Sequence, residues 1–89
     1  MGLQETFAEK QQWRALQKRA QQLPNDYAIV YHEIQKYYLK VAPVQITSNF
    51  DSLSALLDLF EAGSSQSKPV LDVTGKDVAA FADALIENN

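Results

Sequence analysis

The chain has 89 residues, 46% of them hydrophobic and 21% charged, with a formal net charge of −3. That length holds one core, so residues 1–89 read as a single domain of globular rather than disordered composition. The absence of cysteine excludes disulfides and thiolate metal sites, and no apolar stretch approaches the roughly 20 residues of a membrane-spanning helix.

The N-terminal stretch MGLQETFAEKQQW has no apolar run behind a basic segment and so is not a secretory signal. Met1-Gly2 followed by Thr6 fits the myristoylation pattern, which is short and frequent by chance. With no cysteine and no signal, a cytoplasmic location is expected. A domain this small buries only about two-thirds of the surface its unfolded form exposes. Self-association is the remaining common means of adding stability, so a homodimer is expected.

Four segments carry helical periodicity. The first, about residues 3–22, is rich in good helix formers, and Trp13, Leu16, Ala20 and Leu23 make one apolar stripe. Pro24 and Asp26 then suit a first helical turn, where a missing N–H costs nothing and a carboxylate meets the positive end of the dipole. The second helix spans about 24–41. Its stripe is Tyr27, Val30, Tyr31, Ile34, Tyr37, Tyr38 and Val41, with Ile29 and Leu39 off it, which predicts packing against more than one neighbour. Pro43 closes it.

A connection follows, and Asn49 or Asp51 is placed to cap a third helix over about 51–62. There Leu53, Leu56, Leu57 and Phe60 share a face, and Gly63 fits a C-terminal cap. Ser64 to Lys68 reads as a loop or frayed extension that Pro69 ends. Val70, Leu71 and Val73 fit a short strand, but one strand without a partner is not stable. The fourth helix, about 75–87, aligns Val78, Phe81, Ala82, Leu85 and Ile86. The fold class is therefore all-α, a four-helix domain.

The pair Gly75-Lys76 resembles the end of a phosphate-binding loop. Five residues before Gly75 stands Val70 rather than glycine, and Asp77 follows the lysine, so the backbone cradle is missing and a carboxylate would face the phosphate. The spacing fits a capping box instead, with the Thr74 hydroxyl accepting from the Asp77 N–H.

Catalytic groups are sparse. The single histidine, His32, follows Tyr31 and precedes Glu33, opposite the apolar stripe, and reads as solvated. Two Glu-x-x-His pairs, as a di-iron bundle requires, do not occur. Asp58, Glu61, Asp83 and Glu87 fall at exposed helix positions and read as solubilising charges. The tyrosines, spaced beside Ile34 and Val41, read as core or interface. No catalytic residue, metal or cofactor is called for.

The uneven feature is charge. Residues 1–41 hold six Lys/Arg and four Asp/Glu, net +2, whereas residues 42–89 hold two and seven, net −5. Lys10, Arg14 and Lys18 recur every four residues, as do His32, Lys36 and Lys40. Such rows cost a helix a few tenths of a kcal/mol per pair unless something offsets them. A solvated face balanced by acids elsewhere is one explanation, phosphate contact another, and an acidic protein partner the third. Helical register puts Leu3 and Phe7 on the side of Lys10, Arg14 and Lys18, away from Trp13 and Leu16. Either the helix starts late or kinks, or another chain covers the two apolar groups.

The runs LPNDYAIVYHEIQKYY, LLDLFEAG and VLDVTGKDVAAFADALI resemble a family of small bacterial helical proteins, the domain of unknown function 1048. The resemblance extends from about Trp13 to Ile86, apart from the connection APVQITSNF. It implies an all-helical, cytoplasmic bacterial domain encoded beside PadR-type transcription regulators. The family is sometimes labelled ferritin-like and DNA-binding, and this acidic sequence, with a single histidine, departs from that label. It offers no catalytic residues to carry over. The expected function is a non-enzymatic protein–protein interaction module, an accessory to a transcription regulator, with a candidate surface of Leu3, Phe7, Lys10, Arg14, Lys18, Lys36 and Lys40. The alternative is weak DNA binding through the cations of that set, which the pI of about 4.9 disfavours.

Overall fold

The structure, a computed structural model, describes residues 2–41 and 50–87, with side chains for residues 10–41 and 50–85. Among these residues there are five helices and no strand: α1 (Gly2–Gln21), α2 (Asn25–Val41), α3 (Asp51–Ser65), α4 (Val70–Thr74) and α5 (Val78–Glu87). The fold is all-α, with four of the helices long.

The apolar stripes dictate the arrangement. α2 packs against all four other helices, as the breadth of its stripe predicts. Tyr27, Tyr31, Ile34 and Tyr38 are fully buried on its central face, while Val30 and Tyr37 are half-buried on one flank. α1 and α3 pack on α2 and on each other through Leu16, Ala20 and Leu23 on one side and Leu53, Leu56, Leu57 and Phe60 on the other. Each large apolar side chain so buried contributes about 1.5–3 kcal/mol relative to exposure. α5 packs on α2 and α4, with Ala82 buried and Val78, Phe81 and Leu85 half-buried. Ile29, Leu39 and Val41 of α2 face water.

Four helix ends differ in boundary or cap from the sequence expectation, each for a local reason. α2 begins with the Pro24 carbonyl accepting from the Ala28 N–H at 2.9 Å, which puts Pro24 at the cap rather than in the first turn. Phe50 holds the cap position of α3 in a left-handed conformation (φ 57°) with no side-chain cap. Its ring is buried against Trp13 at 5.9 Å between centroids, which holds the strained backbone. Asp51 is the first helical residue, and Asn49 lies outside the described residues.

Gly63 does not end α3. The helix runs on to Ser65, and the Lys68 N–H donates to the Gly63 carbonyl at 3.1 Å while Ser67 N–H donates to Ser64 at 3.0 Å. This is a Schellman closure with Ser67 (φ 59°) in the position glycine usually takes. The helix thus extends into Ser64 and Ser65, and residues 66–68 make the turn before Pro69. Val70, Leu71 and Val73, which fit a strand by composition, lie instead in α4, one helical turn entered from Pro69, whose carbonyl accepts from the Asp72 N–H.

The last helix starts three residues later than expected. Gly75 has φ +81° and ψ 173°, a region only glycine adopts readily, so it separates α4 from α5. Thr74 therefore closes α4, with its hydroxyl donating to the Gly75 carbonyl at 2.7 Å. Asp77 is the cap of α5: its carboxylate accepts from the Ala80 N–H at 3.0 Å, and its carbonyl accepts from Phe81.

Candidate interaction surface

Lys10, Arg14 and Lys18 are exposed along one face of α1, opposite Leu16 and Ala20, and none forms an ion pair with a described acid. The backbone around Leu3 and Phe7 is helical, and their side chains lie outside the described residues. On α2, Lys36 and Lys40 are exposed; Lys36 approaches Glu33 at 3.6 Å. No described contact joins the two rows.

Arg19, absent from the expected surface, behaves differently. It lies on the flank of α1 that faces α3, where Ser54, Asp58 and Glu61 occupy one face at i, i+4 and i+7. Its guanidinium donates to both Glu61 oxygens (3.1 and 2.9 Å), to Asp58 at 2.7 Å and to Ser54 at 3.2 Å. The Glu61 hydrogen bond foremost, with Asp58 adding, holds the guanidinium above its ordinary range. Acids from the second half thus pair with Arg19, while Lys10, Arg14 and Lys18 beside it have no such partner among the described acids.

Two polar links tie α2 to its neighbours. Gln17 of α1 donates from Nε2 to Oε1 of the buried Gln35 at 2.7 Å, so α1 meets the Gln35 flank of α2. On the flank bearing Val30 and Glu33, the Tyr37 hydroxyl donates to Asp83 of α5, and that bond, with burial, raises the phenol above its usual value. Beside it, Val30, Glu33, Ile34 and Tyr37 of α2 and Val78, Ala79 and Ala82 of α5 line an apolar cleft of about 370 Å3. This cleft combines side chains from two helices about forty residues apart, and no single-helix periodicity reveals it.

His32 is exposed, with its ring edge-on to Tyr31 at 5.5 Å between centroids. The hydroxyls of Tyr31 and Tyr38 are buried without a hydrogen-bond partner among the described residues, and burial pushes both phenols up, Tyr38 to about 12. Among the described residues no group of three metal-ligating side chains converges, and no helix is long and apolar enough to cross a membrane.

The chain, four helices packed about a tyrosine-rich α2, matches the family model for proteins of unknown function, DUF1048, over residues 4–89. The chain belongs to the DUF1048 family. A DUF1048 protein from Bacillus cereus ATCC 10987, whose 2.05 Å crystal structure is described as a left-handed superhelix fold, is 40% identical. The likeness covers 82% of this chain and 90% of that one at a TM-score of 0.75. A comparison with curated proteins finds no match.

Proposed function

We propose that this DUF1048 chain is a non-enzymatic helical protein–protein interaction module, working as a cytoplasmic homodimer and as an accessory to a transcription regulator. The observation that carries the reading is the row Lys10, Arg14 and Lys18, exposed and unpaired with any described acid while Arg19 beside it is held by three side chains of α3. Repulsion along such a row costs a few tenths of a kcal/mol per pair, and an acidic protein surface against it removes that cost. The genomic neighbourhood implied by the family resemblance names a PadR-type regulator as the partner to test.

Light scattering on purified protein, with crosslinking in native lysate and identification of the crosslinked species, tests both parts. A dimer mass and a specific regulator are expected; a strictly monomeric protein that recovers no specific partner overturns the reading. The second reading, weak DNA binding through Lys10, Arg14, Lys18, Lys36 and Lys40, draws on the same unpaired row. Phosphate contacts must weaken steeply as salt rises, so a duplex that shows no shift at low salt eliminates it.

A further inference from the structure

We propose, building on the homodimer in the reading above, that the cleft between α2 and α5 receives the N-terminal arm of α1 from a second copy of this chain. The second copy's cleft receives this chain's arm in return. The first ground is the cleft itself. Val30, Ile34, Val78 and Ala82 give it apolar walls, and Ile29, one turn before Glu33, leaves 60% of its surface in water beside it. Apolar surface held open to water favours an occupant that covers it.

The second ground is charge. Glu33 sits in the cleft, Asp26 stands two turns earlier on the same face of α2, and Asp83 of α5 accepts from the hydroxyl of Tyr37, which lines the cleft one turn after Glu33. Lys36 is the neighbouring cation on α2, with both members of its 3.6 Å pair with Glu33 well exposed. The cleft therefore presents apolar walls with a carboxylate rim.

The third ground is the arm. α1 is one helix from Gly2 to Gln21, which removes a late start as the reason for Leu3 and Phe7 falling out of line with Trp13 and Leu16. Register places these two positions with Lys10, Arg14 and Lys18: apolar residues followed by cations, the complement of an apolar cleft rimmed by acids. Among the residues whose side chains are described, Trp13 is the first of α1 to meet the core, with residues 10–12 exposed, and residues 2–12 make about 16 Å of helix before it at 1.5 Å per residue. The arm does not serve its own cleft, because α1 meets α2 on the Gln35 flank, away from Val30 and Glu33. Mutual exchange of arms closes the contact with two copies.

Charge reversal decides the matter. One variant carries Lys10→Glu and Arg14→Glu; the other carries Asp26→Lys and Glu33→Lys. Light scattering should give a dimer mass for the unsubstituted protein and a monomer mass for each variant alone. An equimolar mixture of the two variants should regain the dimer, since each arm then meets a cleft of opposite sign. Circular dichroism checks that each remains helical, and Phe7→Ser and Ile29→Ser, which change no charge, should dissociate the dimer as well. An unsubstituted monomer, double variants that stay dimeric, or two helical monomers whose mixture forms no dimer each overturn the proposal. If a double variant loses its helices, an undiminished dimer in both serine variants does so. A dimer insensitive to all these changes sinks the cleft assignment alone. A monomer that also recovers no regulator sinks the interaction reading with it.

Discussion

At the scale of single residues, Gly63 shows how a glycine's role depends on what lies across from it. A Cβ there would stand 2.6 Å from Val73 Cγ2 and 2.7 Å from the Tyr27 hydroxyl oxygen. Neither neighbour moves freely: Val73 sits in α4, and the Tyr27 hydroxyl donates to the Lys68 carbonyl at 2.7 Å while its ring meets Phe60 edge-on. Gly63 is thus the point where α2, α3 and α4 touch. The sequence alone suggests a helix end, because glycine after an amphipathic run is the common stop signal and close approach from elsewhere in the chain leaves no local trace. Gly63→Ala should lower stability by about 1–2 kcal/mol, as overcrowding of about 1–3 kcal/mol exceeds the gain in helix propensity of up to about 1 kcal/mol. A urea unfolding midpoint that stays level or rises would mean that Val73 and Tyr27 move aside at little cost.

At the scale of elements, helix identity was legible and helix ends were only partly so. Stripes such as Leu53, Leu56, Leu57 and Phe60 assign α3 because burial acts on every third or fourth residue, and all four are fully buried. Ends depend on one or two backbone angles. Thr74 and Asp77 satisfy the spacing of a capping box, yet Gly75 at φ +81° lies between them and no helix passes through it. The cap moves to Asp77, whose carboxylate accepts from Ala80. Asp77→Ala should cost about 1 kcal/mol, while Asp77→Ser or Asp77→Asn, which keep an acceptor, should retain most of the stability. Equal losses in all three variants, measured by thermal or urea unfolding, would remove Asp77 from the cap.

At the scale of the whole molecule, the core was legible because α2 carries its main residues in one run, whereas the Arg19 fork, the Gln17–Gln35 link and the α2–α5 cleft were not. Each joins residues at least eighteen positions apart, and periodicity within one helix says nothing of which helix lies opposite. The same concentration in α2 gives the molecule a global signature. All four tyrosines of the chain lie in α2, and every phenol is raised above its ordinary value of 10.0. Burial is the main cause for Tyr27, Tyr31 and Tyr38, and the hydrogen bond to Asp83 for Tyr37. A raised value means that the fold favours the protonated phenol. The associated stability is complete below pH 10, the unfolded value, and is lost as pH rises through the folded values, about 12 for Tyr38. Alkaline titration followed by phenolate absorbance should therefore show no step at the ordinary value in the folded protein; ionisation should coincide with loss of helical circular dichroism above it. In denaturant the phenols should titrate together near 10. Asp83→Asn should return one phenol, that of Tyr37, toward the ordinary value while the other three stay with unfolding. Two or more phenols titrating near 10 in the fully helical protein would mean that the tyrosine face of α2 is open to water, and that its central place in the fold is wrong.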